Sequence, residues 1–281
     1  MTIRYYLPRL AMEETNVVRV AVIGAAGRMG TEVLRTVNQV PGIEIVLAVD
    51  RERVGENCRE FAGGRAPDIQ VVDKLGVALD NTKADVLVDF SHGSGSAQHA
   101  DSALKRGVSP VIGATGLNDS DLKEIALRCK ETGVPGMYVP NFAIGAVLMM
   151  KFSEMAAKWM PDCEIIELHH DRKEDAPSGT AMRTAELIHD ARQDSPTRKP
   201  RPQMKVEGAR GGAYKDVHIH SVRLPGYIAH QEVIFGRLGE VLTIRHDSMD
   251  RGSFMQGVAL AAKEVRSLPG FVVGLDKILF R

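Results

Sequence analysis

What this chain lacks narrows what it can be. Its three cysteines, Cys58, Cys129 and Cys163, are scattered and odd in number, which argues against a disulfide framework and for a reducing compartment, the cytoplasm. Lys plus Arg and Asp plus Glu balance at 36 each and are interspersed, so no basic field favours nucleic acid or an anionic membrane. The longest run without a polar side chain, Phe142 to Met150, is far shorter than the ~20 residues of a membrane span. Arg4, Arg9, Glu13 and Glu14 leave the start of the chain without the apolar core of a secretion signal, and residues 1–15 read as a disordered extension. What is present is 281 residues with 44% apolar content. That is enough for two ordinary domains, with a balanced surface suited to a small-molecule partner.

The first strong pattern is a βαβ unit. Val17 to Ile23 reads as a buried strand and runs directly into Gly24-Ala25-Ala26-Gly27-Arg28-Met29-Gly30. The helix that follows would carry Met29, Val33, Leu34 and Val37 on one face and stop at Pro41-Gly42, and Ile43 to Val49 would form the next strand, closing on Asp50. The glycines stand at i, i+3 and i+6 rather than the usual i, i+2 and i+5, because Ala26 takes the place of the second glycine. A strand before, a helix after and an acid at the end of the next strand still define a nucleotide site. The pyrophosphate is expected on the N–H groups of the turn and the adenosine ribose on Asp50. Arg51 and Arg28 would either bind a ribose 2′-phosphate or lie on a solvated surface, so both NADH and NADPH stay open.

Further βα units end in Ser91-His92-Gly93-Ser94-Gly95, in Gly113-Ala114-Thr115-Gly116 and in Val139-Pro140-Asn141-Phe142. Ligands on such sheets bind beyond the carboxyl ends of the strands, which brings Gly113, Ala114, Thr115, Val139, Pro140, Asn141 and Phe142 to the cofactor. After Phe142 the texture changes. An apolar helix of about Ala143 to Trp159 leads to a strand at Ile165 to His170, a helix opening at Pro177-Ser178-Gly179-Thr180, and a polar stretch from Asp190 to Pro202 that reads as a loop. Val217 to Leu224, His230 to Phe235 and Glu240 to His246 are β-rich, the last two joined as a hairpin through Gly236-Arg237-Leu238-Gly239. A final helix, Ser253 to Val265, suits packing back on the first domain. The fold class expected is α/β, a Rossmann-type doubly wound parallel sheet plus a second α+β domain with a mixed or antiparallel sheet. Residues 16–142 and 251–281 would form the first domain and residues 143–250 the second.

The run Glu167-Leu168-His169-His170-Asp171-Arg172-Lys173-Glu174-Asp175-Ala176-Pro177-Ser178-Gly179-Thr180-Ala181 joins a strand end to a helix start. Small residues at Gly179 and Thr180 leave unpaired N–H groups and the positive end of the helix dipole open to a carboxylate or phosphate. With two imidazoles and two cations alongside, the run can hold and protonate a small anionic substrate. A Ser-Gly-Thr start also serves as an ordinary cap. His169 and His170 would point to opposite faces of a strand, so one is packing unless the strand ends there. Adjacent histidines lack the spacing and further ligands of a zinc site, so no metal is expected.

On these residues the chain resembles the 4-hydroxy-tetrahydrodipicolinate (dihydrodipicolinate) reductase family. The specific part is His169-His170-x-x-Lys173 followed by Asp175-Ala176-Pro177-Ser178-Gly179-Thr180-Ala181; the turn Gly24 to Gly30, Gly113 to Gly116 and Pro140-Asn141-Phe142 add to it. The resemblance covers Val17 to the end. It implies NADH- or NADPH-dependent reduction to tetrahydrodipicolinate in the diaminopimelate route to lysine, acting on a small dicarboxylate. It implies His169 as proton donor, Lys173 as its cationic partner, and His170, Gly179 and Thr180 as substrate contacts. The cofactor contacts it implies are Gly24, Ala25, Ala26, Gly27, Arg28, Met29, Asp50, Arg51, Gly113 to Thr115 and Val139 to Phe142. It further implies a homotetramer assembled through sheets of the second domain, with Phe142 and Arg251 near the two interdomain crossings. Ala114 departs from a common threonine, and Arg237-Leu238 from a common Gly-Pro.

Two rival readings remain from the residues themselves. Another two-domain dehydrogenase of amino-acid metabolism, of aspartate-semialdehyde or homoserine type, shares the layout, but an acylating enzyme needs a nucleophilic cysteine, and Cys129 and Cys163 lie in plain helical and strand-start contexts. A redox sensor that binds nicotinamide nucleotides without turnover would not need the histidine and lysine cluster beside an anion cradle, and the sequence has no DNA-reading module.

Overall fold

The computed structural model describes residues 17–192 and 203–281; the expected extension at 1–15 lies outside them. In chain order the elements are β1 (Val18–Ile23), α1 (Arg28–Thr36), β2 (Ile43–Val49), α2 (Cys58–Ala62), β3 (Val71–Val72), α3 (Leu75–Asn81), β4 (Val86–Asp89), α4 (Gly93–Leu104), β5 (Ser109–Ile112), α5 (Asp119–Thr132), β6 (Gly136–Tyr138), α6 (Ile144–Ala157), β7 (Asp162–His169) and α7 (Gly179–Arg192). Then follow β8 (Gly212–Tyr214), β9 (Val217–Arg223), β10 (Ala229–Arg237), β11 (Glu240–Ser248), α8 (Met255–Glu264), β12 (Phe271–Val273) and α9 (Asp276–Leu279). The chain divides into two compact units, one ending at Ile144 and resuming at Arg251–Arg281, the other Gly145–Asp250.

The first unit is built on a seven-stranded sheet in the order β12-β6-β5-β4-β1-β2-β3, every pair parallel. Strands covered on both faces must be apolar throughout: Val20, Ala21 and Val22 of β1 and Val86, Leu87 and Val88 of β4 are fully buried. The chain leaves β1 toward β2 on one side and returns to β4 on the other. The order therefore reverses between β1 and β4, and the region beyond their carboxyl ends is where such sheets bind ligands.

The second unit is a five-stranded mixed sheet in the order β11-β10-β7-β9-β8. β7 runs parallel to β9 and antiparallel to β10. One face, with Ile165, Ile219, Val233 and Phe235, packs against Ala181, Ala185 and Ile188 of α7. Residues two apart on a strand share a face, so Glu167 and His169 continue the face of Ile165 toward the end of β7. There apolar packing gives way to polar groups.

Boundaries differ from the sequence pattern in places. The polar stretch expected to begin a loop at Asp190 is helical through Arg192. The reason is tertiary: the Arg192 side chain is buried, donating from Nη1 to Asp216 Oδ2 at 3.0 Å and from Nη2 to Cys163 Sγ at 3.0 Å. The rest of that stretch, 193–202, lies outside the described residues. The hairpin turn is also tighter than four residues, because Gly236 and Arg237 remain in β10, with Arg237 opposite Glu240, and Gly239 takes φ +84°.

Candidate active site

In the first unit the turn after β1 is held by close backbone approach. Gly24 has φ +77°, and a Cβ there would lie 2.7 Å from the Phe90 carbonyl. A Cβ on Gly30 would stand 2.0 Å from the Gly24 oxygen. Only glycine lets α1 start this close to the strand end. Within the turn the Gly24 and Ala25 N–H groups donate to the Val49 carbonyl and the Gly27 N–H to the Gly24 carbonyl, so the donors that suit a pyrophosphate are those of the first turn of α1, from Arg28 to Gly30. Ala25 is buried, Ala26 and Met29 are half-buried, and Gly27 and Arg28 are exposed. Asp50 follows β2; its Oδ2 accepts the Ala26 N–H at 2.9 Å and its Oδ1 the Glu52 N–H at 3.0 Å. Arg51 is exposed.

The loops after β4, β5 and β6 reach the same edge of the sheet. The rings of Phe90 and Phe142 meet at 5.4 Å between centroids, and a Cβ on Gly113 would press within 2.5 Å of one and 2.7 Å of the other. Thr115 is exposed, and its carbonyl accepts the Gly93 N–H at 3.1 Å, tying the β5 loop to the start of α4. Val139 is buried, Pro140 exposed, and Asn141 Oδ1 accepts the Ala143 N–H at 2.9 Å. Ala114 differs from what its loop position suggests: its methyl is packed with Ala100, Leu104, Ile112, Ile125 and Cys129, so only its backbone faces the loop side. The sequence marks Ser91 as the start of a βα turn without assigning it or Phe90 to the cofactor; both follow β4 at the reversal point. The buried Asp89 carboxylate fixes that loop, with Oδ1 accepting from Ser91 N–H at 2.8 Å and Ser91 Oγ at 2.6 Å, and Oδ2 lying 3.1 Å from His99 Nδ1.

In the second unit β7 ends at His169, so His170 belongs to the loop and the alternation that would separate the two imidazoles is broken there. His169 Nδ1 is hydrogen-bonded to Glu167 Oε2. Glu167 is fully buried. Burial pushes its carboxyl up, but hydrogen bonds from His169, Arg223 and Ser221 outweigh this and hold it at about 2. His170 carries a buried Nδ1 with no hydrogen-bond partner among the described residues, a group that a ligand would satisfy. The Lys173 ammonium donates to Asp175 Oδ1 at 2.6 Å, so its partner here is a carboxylate of its own loop. The helix start is capped by Ser178, whose Oγ accepts the Ala181 N–H at 3.2 Å. Gly179 opens on free space, with no atom within 4 Å of where a Cβ would sit, and the Thr180 carbonyl accepts from Thr184 Oγ1 at 2.8 Å. Glu167 was legible as the residue two before His169 on a strand; Arg223 carried no signal in the sequence.

Among the described residues no three His, Cys, Asp or Glu side chains gather as a metal site, and no helix is long and apolar enough to cross a membrane. Burial pushes the thiols of Cys58, Cys129 and Cys163 up to about 11. None supplies a thiolate near neutral pH, as an acylating dehydrogenase needs.

A parallel doubly wound sheet with a glycine turn at its reversal point, together with a second unit carrying a carboxylate-bound histidine and an open helix start, defines the class: a two-unit oxidoreductase built on a Rossmann-type fold. Family models described as dihydrodipicolinate reductase match residues 18–142 (N-terminus) and 145–279 (C-terminus). The chain belongs to the dihydrodipicolinate reductase family. It is 46% identical over 263 residues to 4-hydroxy-tetrahydrodipicolinate reductase of Desulfitobacterium hafniense, covering 93% of this chain and 98% of that one. It is 49% identical over 261 residues to the protein of that name from Syntrophomonas wolfei, covering 93% and 98%. Among solved structures it is similar to dipicolinate-bound dihydrodipicolinate reductase from Paenisporosarcina sp. TG-14, with TM-score 0.83, 40% identity and coverage of 93% and 99%.

Proposed function

We propose that this protein reduces 4-hydroxy-tetrahydrodipicolinate, by way of dihydrodipicolinate, to tetrahydrodipicolinate with NADH or NADPH, in the diaminopimelate route to lysine. The observation that carries the reading is the run from His169 to Thr180 beside the α7 start, in a chain 46% to 49% identical to proteins named for this activity. The unit of 17–144 and 251–281 holds the nucleotide, and the unit of 145–250 holds the substrate. The turn Gly24 to Met29 takes the pyrophosphate, on the N–H groups of Arg28 and Met29 at the α1 start, Asp50 takes the ribose hydroxyls, and Arg51 with Arg28 a 2′-phosphate when one is present. Gly113, Ala114 and Thr115, with Val139 to Phe142, line the rest of the nucleotide site.

When bound, the reduced nicotinamide supplies a hydride. The residues of this chain do the remainder. The helix start at Gly179 and Thr180 receives one substrate carboxylate on backbone N–H groups and the Thr180 hydroxyl, while His170 and Lys173 hold the dianion. Hydride addition to a conjugated ring imine builds negative charge on the ring, and His169 quenches it by donating a proton from Nε2. A histidine is suited to this near neutral pH. The second unit also supplies the subunit contacts of a homotetramer. Its sheet ends in the edge strand β11, where Val241 and Leu242 are exposed, and the assembly works in the cytoplasm.

The test is steady-state turnover with both cofactors on enzymatically generated substrate. His169→Gln and Lys173→Ala should each lower kcat roughly 10²-fold or more, the scale of general acid catalysis, with cofactor binding retained. Wild-type turnover in either variant across the pH range removes that residue from its role, and no turnover by the wild type removes the reductase reading. Sedimentation of the intact protein decides the tetramer.

A further inference from the structure

We infer that Glu167 and Arg223 position the proton donor: Glu167 accepts the Nδ1–H of His169 so that Nε2 carries the transferable proton, and Arg223 locks that carboxylate while clasping the loop that bears Lys173. The inference rests on the reductase reading above. It begins with strand register. β7 pairs with β9 so that Glu167 faces Ser221 and His169 faces Arg223, which gathers these polar side chains at the end of a face otherwise filled by Ile165, Ile219 and Val233.

A buried carboxylate is costly unless its oxygens are satisfied. Here Oε1 accepts from Arg223 Nη2 at 2.8 Å and from the Ser178 N–H at 3.2 Å, and Oε2 accepts from Arg223 Nη1 at 2.9 Å and from His169 Nδ1. The Ser221 side chain also hydrogen-bonds to this carboxylate, and an ionised carboxylate has only about four lone-pair sites, so none is left for a substrate. Glu167 therefore acts through His169 and is a positioning residue. With Nδ1–H bound to the carboxylate, the tautomer is set. After Nε2 gives up its proton, the ring stays in place as neutral imidazole with Nδ1–H still on Glu167.

Arg223 does more than neutralise the charge. Its Nη2 also donates to the Asp175 carbonyl at 2.7 Å and its Nε to the Lys173 carbonyl at 3.3 Å. One planar guanidinium thus fixes the strand carboxylate and the loop backbone together, a geometry lysine cannot copy. The Ser178 N–H spent on Glu167 joins the α7 start to the same network, while Gly179 beyond it stays open. The charged groups about His169 are Glu167 on its own strand, Arg223 on β9, and Lys173 and Asp175 in the loop, where Asp171, Arg172 and Glu174 are exposed. Opposite on β10 stands Ala229.

Glu167→Gln keeps the volume and removes the charge. We expect kcat to fall roughly tenfold or more while NADH affinity is unchanged. In a His169→Gln background the same substitution should cost nothing further. An equal loss in that background overturns the inference. Nitrogen NMR of the histidines in the intact wild-type protein decides it independently, even where Glu167→Gln fails to fold: His169 should hold its neutral-form proton on Nδ1, and a proton on Nε2 sinks the idea. Loss of turnover by the wild type would sink the reductase reading instead, while the NMR result would still judge the pair.

Discussion

Asp50, which follows β2, accepts the backbone N–H of Ala26 at 2.9 Å, joining the carboxylate proposed for the ribose to the glycine turn after β1. The carboxylate therefore braces the turn, and its remaining lone pairs are those proposed for the ribose hydroxyls. Asp50→Ala removes both, but a 2′-phosphate gains from the loss of a neighbouring anion. The expected outcome is a Kd for NADH raised by roughly tenfold, one charge-assisted hydrogen bond, and a smaller rise for NADPH. Fluorescence titration with the two cofactors reads this, and equal losses would remove Asp50 from the ribose.

Three glycines should respond differently to a single methyl. Gly30→Ala places Cβ 2.0 Å from a backbone oxygen, which nothing nearby can relieve, so the melting temperature should fall and nucleotide binding should be lost. Gly113→Ala pushes on the Phe90 and Phe142 rings, a strain of about 1–3 kcal/mol. Gly179→Ala meets no atom within 4 Å and should leave the melting temperature unchanged. Calorimetric scans of the three variants check the ranking.

Thr180→Val keeps the volume and deletes a hydroxyl donor. If a substrate carboxylate sits on the α7 start, pyridine-2,6-dicarboxylate should bind the variant roughly 10- to 100-fold more weakly, the equivalent of one charge-assisted hydrogen bond of about 1.5–3 kcal/mol. NADH affinity should not change. Titration calorimetry with NADH present measures it, and equal inhibitor affinity would return the helix start to the role of a plain cap.

Glu167 also sets an acid limit. Its carboxyl is held at about 2 in the folded protein against an ordinary 4.5. A depressed carboxylate contributes stability that is fully present above the unfolded value and is lost as pH falls through the folded one. The contribution, on the order of 3 kcal/mol, should therefore disappear between about pH 4.5 and 2. Thermal melts of wild type and Glu167→Gln across that window should converge as pH falls.

Much of the first unit was legible because its physics is local. A strand buried on both faces must be apolar along its length, so β1, β2 and β5 stand out as runs, and the glycine turn is required wherever a helix starts against a strand end. The end of α7 is not legible in the sequence, because Asp190 to Arg192 look polar and solvated, yet Arg192 is buried on Asp216 and Cys163. Ala114 sits in a loop by sequence and in an apolar cluster by structure.

The sequence by itself determined the chemistry of the site: paired imidazoles, a lysine and a small-residue helix start are side-chain types and local spacings that survive without a fold. Only the tertiary structure decided which group governs which. Arg223 lies far along the chain from His169 and becomes its neighbour because β9 pairs in parallel with β7. Strand order in a mixed sheet is set by how the whole apolar face is buried, and no window of sequence contains that information. Where β7 stops was decided the same way, and that stop puts His170 in the loop rather than on the strand.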